Sequence, residues 1–358
     1  MDSESFLAPP VSVEYSVTYD CRRTCAYCNL RAMVREIYGG ARRARSRELG
    51  LAVVKRIIRQ ARECGAKVFQ ITGGEPFVKG TIFEILEYGC SLGLFLKVTT
   101  KHLFTTDEAS RLRDVGIRSI AVSLDSLEEP TNRRLHGDAR LGARLQESIA
   151  RLMQAGVDVQ VAPVLTRVNH AEYERIVRWA VQVGIRSLAP MIIRGGLFSL
   201  RSTGGRVDPS LLLDPESRRR LGDELSALHE RYGITMEMPG EPAFERRHPQ
   251  VCPAADHAYI TPDGEMTYCS LTPDLTFGSV RDRDLMAVWR SRRRSALMRP
   301  VRELYRGTEC AACRWFDRCN WLGRCYAACL DTPPFFRPEA NRLCRRVRRD
   351  AGEPPAAA

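Results

Sequence analysis

The sequence predicts an α/β fold: six short strands alternating with helices in a parallel sheet, then a small cysteine-rich domain built around a β-hairpin. Two observations carry the first part. Short β-branched runs alternate with segments of helical periodicity, and that alternation is the pattern of a parallel sheet joined by right-handed crossovers. The third observation carries the rest: from Cys252 onward the alternation stops and cysteines recur instead.

The 358 residues give room for a large catalytic domain and a smaller one. The division expected is a barrel over residues 1–200, a connector with a bridging helix over 201–250, and the cysteine domain over 251–358. At 44% hydrophobic and 27% charged the composition is that of an ordinary globular protein. The first ten residues carry acidic side chains where a secretory signal needs basic ones, and no apolar run approaches about 18 residues. A cytoplasmic protein with no membrane association is expected. There thiols stay reduced, so clustered cysteines read as metal ligands rather than disulfides. Of the 13 cysteines, Cys64 and Cys90 stand alone on helices and are expected to pack in the core. The net charge of +12 sits largely in runs such as Arg292-Arg293-Arg294 and Arg345-Arg346, without interleaved aromatics. Such runs are solvated faces by default, so nucleic acid is not the expected partner.

Taken in order, residues Val11 to Thr18 alternate as a first strand that ends in Asp20-Cys21. Catalytic groups of α/β barrels come from such carboxyl ends. A basic, glycine-containing loop is expected from Leu30 to Ser46, then a helix from Arg47 to Cys64 with apolar residues at Leu49, Val53, Val54, Ile57, Ile58 and Ala61. The second strand, Lys67 to Thr72, opens onto Gly73-Gly74-Glu75-Pro76, where two glycines let the backbone pass close to a ligand and Glu75 offers a carboxylate to an ammonium group. Helices at Thr81–Leu92, Thr106–Val115, Leu141–Ala155 and Ala171–Val183 separate strands at Leu96–Thr100, Ser119–Ser123, Asp158–Leu165 and Ser187–Ile193. Polar residues at strand ends are the natural cavity lining: Thr99, Thr100, Lys101 and His102; Ser123, Asp125 and Ser126; Thr166, Arg167 and Asn169. Each also reads as a helix cap or loop residue, Asp125 above all. An amphipathic helix from Glu216 to Tyr232 could close the open side of the barrel, and a short strand follows at Ile234–Met238.

Cys21, Cys25 and Cys28, spaced three residues then two, can hold three corners of one iron–sulfur cube and leave the fourth iron open. With Tyr27 before the last thiol, this stretch resembles the CxxxCxΦC signature of the radical S-adenosylmethionine (SAM) superfamily, and Gly73-Gly74-Glu75 resembles that family's GGE motif. The resemblance implies a partial (β/α)6 barrel. It also implies SAM chelated at the open iron, cleaved by one electron to a 5′-deoxyadenosyl radical, with its amino group held by the GGE motif. Ser123 and Asp125 become candidates for the SAM ribose and carboxylate, and a flavodoxin or ferredoxin the candidate reductant.

In the C-terminal domain Tyr259 to Tyr268 reads as a hairpin with an Asp263-Gly264 turn that brings Cys252 and Cys269 together. With Cys310, Cys313, Cys319 and Cys344 this order resembles the SPASM extension, which carries two auxiliary clusters. Trp289, in a helix at Leu285–Arg290, sits where that extension carries a Trp-containing helix. The resemblance assigns Cys310, Cys313, Cys319 and Cys344 to an outer cluster and Cys252, Cys269 and Cys325 to an inner one. Cys329 is an addition to the pattern. It completes the inner cluster, or an iron there is open to substrate or held by His248, His257 or Glu241. Three 4Fe-4S clusters then use eleven thiols. Zinc is the rival, but zinc ribbons place two CxxC pairs symmetrically and one stands here.

Auxiliary clusters accept electrons from an oxidised substrate, so the reaction expected is an oxidation or crosslink. The substrate is a ribosomally made peptide, as for many SPASM enzymes, or a small molecule such as a sugar, cofactor precursor or tetrapyrrole. Little chain precedes Val11 for a peptide-recognition domain, so a separate recognition protein is expected with the peptide. A non-catalytic iron–sulfur or nucleic-acid-binding protein is the third reading, and the GGE motif with six strands argues against it.

Overall fold

The computed structural model describes residues 8–193, 208–243, 256–270 and 275–292, with Ala312 and Arg314. Five parallel strands form its centre: β1 (Ser12–Ser16), β2 (Val68–Thr72), β3 (Phe95–Thr100), β4 (Ser119–Val122) and β5 (Asp158–Val161). Val13 and Tyr15 on β1, Phe69 and Ile71 on β2 and Leu96 and Val98 on β3 alternate onto one face. There they meet α3 (Leu51–Glu63), α4 (Ile82–Ser91), α5 (Thr106–Asp114), α7 (Leu141–Gln154) and α8 (Tyr173–Gln182) in a single core. Cys64 and Cys90 pack against it, and burial pushes the Cys90 thiol up to about 11. The predicted fifth strand is broken after β5 and resumes as β6 (Val164–Leu165), which pairs in parallel with β7 (Met191–Ile192); a bridge from Val161 to Leu188 continues the barrel.

The segment Leu30–Ser46, expected as a loop, is instead two helices, α1 (Leu30–Tyr38) and α2 (Ala41–Ser46). They turn at Gly39 and Gly40, both at positive φ, and bury Met33, Val34 and Ala44 around Tyr19. A further helix, α6 (Glu129–His136), begins with Glu129-Pro130 and ends at a left-handed Gly137.

The helix expected at Glu216–Tyr232 forms as α9 (Pro215–Tyr232) and packs on α8 through Tyr173 and His229, whose Oη and Nε2 lie 2.6 Å apart. Instead of a full strand, the chain after α9 makes one bridge, Thr235 to Ser187, and then crosses the foot of the barrel. Gln160 Nε2 donates to the Met236 carbonyl at 2.9 Å, Ser119 Oγ to that of Pro239 at 3.0 Å, and Lys97 pairs with Glu241 at 3.1 Å. Side chains capture these carbonyls, which leaves no ladder to form.

The other edge carries the cysteine-domain hairpin, β8 (His257–Ile260) and β9 (Glu265–Thr267), with β10 (Thr276–Ser279) beyond it. β8 pairs in parallel with β1, Ser12 opposite His257, so the hairpin extends the barrel sheet. The Asp263-Gly264 turn forms as expected, with Gly264 at φ 91°. Asp263 Oδ1 accepts the Tyr19 hydroxyl at 2.8 Å and that of Tyr38 at 3.2 Å, tying the hairpin to the loop before Cys21. The short helix α10 (Leu285–Arg290) follows, its Trp289 Nε1 donating to the Ala8 carbonyl at 2.7 Å. Among the described residues no helix is long and apolar enough to cross a membrane.

On the opposite face of β1, burial pushes the Glu14 carboxyl from 4.5 up to about 7 against the opposing hydrogen bond from Thr72. Between those values the folded chain holds a proton that the unfolded chain releases, so stability falls as pH rises through that window. Glu14→Gln should therefore gain up to about 3 kcal/mol at pH 8 and little at pH 4, read from anaerobic urea unfolding at both. An equal effect at both pH values would refute this.

Candidate functional site

The site forms where β1, β2, β3 and β4 end. β1 runs on through Val17 to Asp20, and the turn after β2 is stitched to it: Gly74 N–H donates to the Thr18 carbonyl at 2.8 Å and Glu75 N–H to that of Asp20 at 2.8 Å. Gly73 sits at φ 126°, and a Cβ on Gly74 would fall 2.6 Å from the Asp20 carbonyl carbon. The close approach that needs two glycines is thus between two strand exits of the chain itself. Glu75 is 6% exposed. Its Oε1 accepts Thr100 Oγ1 at 2.5 Å and Phe77 N–H at 3.2 Å, and its Oε2 accepts Lys101 N–H at 2.9 Å. A carboxylate offers about four acceptor positions, so Oε2 keeps one for a further donor.

Cys21, Cys25 and Cys28 follow on the same loop as free thiols, Cys28 exposed and the other two half-buried. The loop is pinned at several points: Arg23 Nη2 donates to the Lys101 carbonyl at 3.2 Å, and Ala26 N–H to the Leu135 carbonyl at the end of α6 at 2.8 Å. Burial pushes the Cys21 thiol up. Burial acts the same way on Cys25, but contact with His136 and the charge of Lys101 outweigh it and lower that thiol. Among the described residues no three His, Cys, Asp or Glu side chains converge on one ion position. A cube makes a different demand, since each thiol meets its own iron, and three free thiols on one short loop fit that donor set.

Behind the loop stands Asp125, 1% exposed. Its Oδ1 accepts Val164 N–H at 2.9 Å; Oδ2 accepts the Tyr27 hydroxyl and stands 3.1 Å from both Lys101 Nζ and His136 Nε2. Burial raises this carboxyl, yet Lys101 and His136 hold it at about 2. His136 reaches across to Cys25, Nδ1 lying 3.3 Å from Sγ. Burial lowers the imidazole pKa, but contacts with Asp125 and Cys25 raise it on balance. Tyr27 lies edge-on to His136 at 5.9 Å, with Lys101 Nζ 5.8 Å from its ring centre.

Tyr27, Gly73, Gly74, Glu75, Ser123 and Asp125 therefore gather with the three cysteines at one end of the sheet. Other expected lining residues serve the frame instead. Thr166 and Asn169 are fully buried and bond each other at 2.8 Å, Asn169 Nδ2 also donating to the Asp125 carbonyl at 2.8 Å. Arg167 Nε donates to the Leu212 carbonyl at 2.9 Å, His102 stacks on Phe77 at 5.2 Å, and Ser126 bonds Glu172. Asp125 does not cap α6, whose N-cap is Glu128. His136 escaped the sequence reading: only the Pro130-to-Gly137 bracket marked its helix, and nothing local tied it to Cys25. Cys269 lies two residues beyond the end of β9. Cys252, Cys310, Cys313, Cys319, Cys325, Cys329, Cys344 and His248 lie outside the described residues. Glu241 is engaged by Lys97, and His257 stacks on Tyr259 at 6.2 Å.

Residues 15–180 match the family model of the radical SAM superfamily, and residues 252–320 match that of the SPASM iron–sulfur cluster-binding domain. The chain is a radical SAM enzyme with a SPASM domain. Among its relatives is a PqqA peptide cyclase of Methylocella silvestris, 26% identical over 310 residues, covering 84% of this chain and 77% of that protein. A probable GTP 3′,8-cyclase of Methanothermobacter marburgensis is 32% identical over 167 residues, covering 46% of this chain and 52% of that one. The radical SAM fold is shared with Streptococcus suis SuiB bound to S-adenosylmethionine, at a TM-score of 0.66 and 20% identity over 93% of this chain and 77% of that chain. The chain thus carries a SAM-binding domain and an iron–sulfur cluster-binding domain.

Proposed function

We propose that this enzyme oxidises or crosslinks a ribosomally made peptide, using a SAM-derived radical generated at a cluster on Cys21, Cys25 and Cys28. The observation that carries the peptide is the likeness to a PqqA peptide cyclase through 84% of the chain, barrel and cysteine domain together. The likeness to a GTP cyclase covers only 46% and so reflects the part that radical enzymes of any substrate share.

A 4Fe-4S cluster with SAM bound supplies the reductive cleavage to a 5′-deoxyadenosyl radical, chemistry no acid–base side chain offers. The residues of the chain hold and orient. Three thiolates supply the ligands. Glu75, both oxygens fixed by β3 and the turn, keeps one acceptor position for the SAM ammonium. Ser123, 8% exposed at the end of β4, is the candidate hydroxyl for the ribose. Asp125, with its side chain closed off and both oxygens taken, is a positioning residue that sets Tyr27, Lys101 and His136 around the loop.

In the cysteine domain the proposal places two further clusters, on Cys310, Cys313, Cys319 and Cys344 and on Cys252, Cys269, Cys325 and Cys329. Anaerobically reconstituted protein should then hold about twelve irons per chain; about four irons with bound zinc would remove the auxiliary clusters from the account. Electrons would come from a flavodoxin or ferredoxin, and a separate recognition protein would present the peptide. Co-expression with short reading frames beside the gene, followed by mass spectrometry, tests the substrate. A peptide about 2 Da lighter, one pair of hydrogens lost, is the result expected. Unchanged peptides alongside turnover of a nucleotide or sugar would overturn the peptide reading.

A further inference from the structure

We propose that His136, held by Asp125, donates Nδ1–H to the Cys25 sulfur and raises the reduction potential of the cluster on Cys21, Cys25 and Cys28. The proposal rests on the reading that those thiols hold the cluster, and it adds the residue that sets how readily the cluster is reduced.

The argument begins from burial. The His136 side chain is fully inaccessible, so both ring nitrogens must find partners inside the protein. Nδ1 lies 3.3 Å from Cys25 Sγ. Nε2 stands 3.1 Å from Asp125 Oδ2. Neither neighbour has a proton to give. Asp125 Oδ2 already receives the Tyr27 hydroxyl and faces Lys101, and an iron-bound thiolate is acceptor only. Beside an acceptor-only sulfur, Nδ1 serves by carrying hydrogen.

Its position in the fold fixes that contact. His136 is the last residue of α6, and Gly137 turns the chain away at φ 69°. The same helix end receives Ala26 N–H at the Leu135 carbonyl, 2.8 Å away. One turn of α6 thus grips the cysteine loop twice, through backbone at Ala26 and through sulfur at Cys25. Among the described residues the other two sulfurs receive backbone groups instead, Cys28 from the Leu30 N–H and Cys21 from the Arg23 N–H at 3.4 Å.

The effect on the cluster follows from charge. Reduction by one electron from a low-potential donor adds a negative charge to the cluster and its sulfurs. A hydrogen bond to a ligand sulfur stabilises that reduced form more than the oxidised one, which raises the potential.

The test is an anaerobic redox titration without SAM, read by electron paramagnetic resonance, on the wild type, His136→Leu and His136→Asn. His136→Leu should lower the reduced-to-oxidised ratio at a fixed potential about tenfold, a midpoint lower by about 59 mV for one electron. His136→Asn, which keeps an N–H near the Nδ1 position, should recover most of it. An unchanged midpoint in His136→Leu overturns the proposal. A second measurement avoids variants that fail to assemble. Wild-type protein grown with 15N-histidine should show a histidine nitrogen coupling on the cluster signal that changes when SAM is added. A SAM-responsive signal without that coupling overturns the role of His136 and leaves the cluster reading standing; absence of any SAM-responsive signal removes the cluster reading itself.

Discussion

Cys28→Ala leaves the protein folded, about four irons short of the wild type, and unable to cleave SAM. Cys28 is the most exposed of the three thiols and sits just before α1, so its replacement opens no cavity. On the proposed assignment its loss removes one of three protein ligands from a cube whose fourth iron is left open to SAM. Two thiolates do not retain such a cluster against chelation, and without it Glu75 and Ser123 have no SAM to orient. Clusters in the cysteine domain do not use this loop, so their iron should persist. Cys90→Ala is the matched control: that thiol packs against the core, and its replacement should alter stability without altering iron content. Iron and sulfide determination on the two variants reads the difference. Full iron loading in Cys28→Ala would contradict the assignment of the loop.

Gly74→Ala should be nearly as damaging, through backbone rather than ligand. The added methyl would fall 2.6 Å from the Asp20 carbonyl carbon, and no side chain can swing aside to admit it. Asp20 immediately precedes Cys21, so whatever relieves the clash moves the first ligand. The bonds from Gly74 to Thr18 and from Glu75 to Asp20 are broken as the strand exits separate. Overpacking and the two lost bonds together are expected to cost about 2–4 kcal/mol, with poor cluster loading and weakened SAM binding. Gly80→Ala, at a position where a Cβ meets nothing within 4 Å, should leave both stability and iron unchanged. Anaerobic urea unfolding and iron content on the pair test this. A Gly74→Ala protein as stable and as iron-rich as the Gly80→Ala protein would refute it.

What could be read in advance was what lies close along the chain. The spacing of Cys21, Cys25 and Cys28 is a local property of one loop, and the helical period of Val54, Ile57, Ile58 and Ala61 announces α3 within two turns. The first misses were local signals outweighed by composition. Leu30, Met33, Val34, Ile37 and Tyr38 trace an apolar stripe, but arginines and the Gly39-Gly40 pair around them suggested a loop. The deeper misses were pairings distant in sequence. Nothing near His257 marks it as the neighbour of Ser12, and only the folded chain brings β8 to the edge of β1. His136 and Cys25 are separated by 111 positions, and a histidine among arginines on a short helix carries no sign of the thiol it will touch. Asp125 was singled out at the end of β4, but its role as a hub for Tyr27, Lys101 and His136 depends on three elements converging.

The central claim is that these three thiols, under Glu75 and beside His136, make the radical-generating end of the chain. Anaerobic protein with SAM and dithionite, assayed for 5′-deoxyadenosine by mass spectrometry, tests it most directly. The account predicts steady formation by the wild type and none by a variant in which Cys21, Cys25 and Cys28 are all alanine. Formation that persists in that variant, or its absence in wild-type protein carrying its full iron, would contradict it.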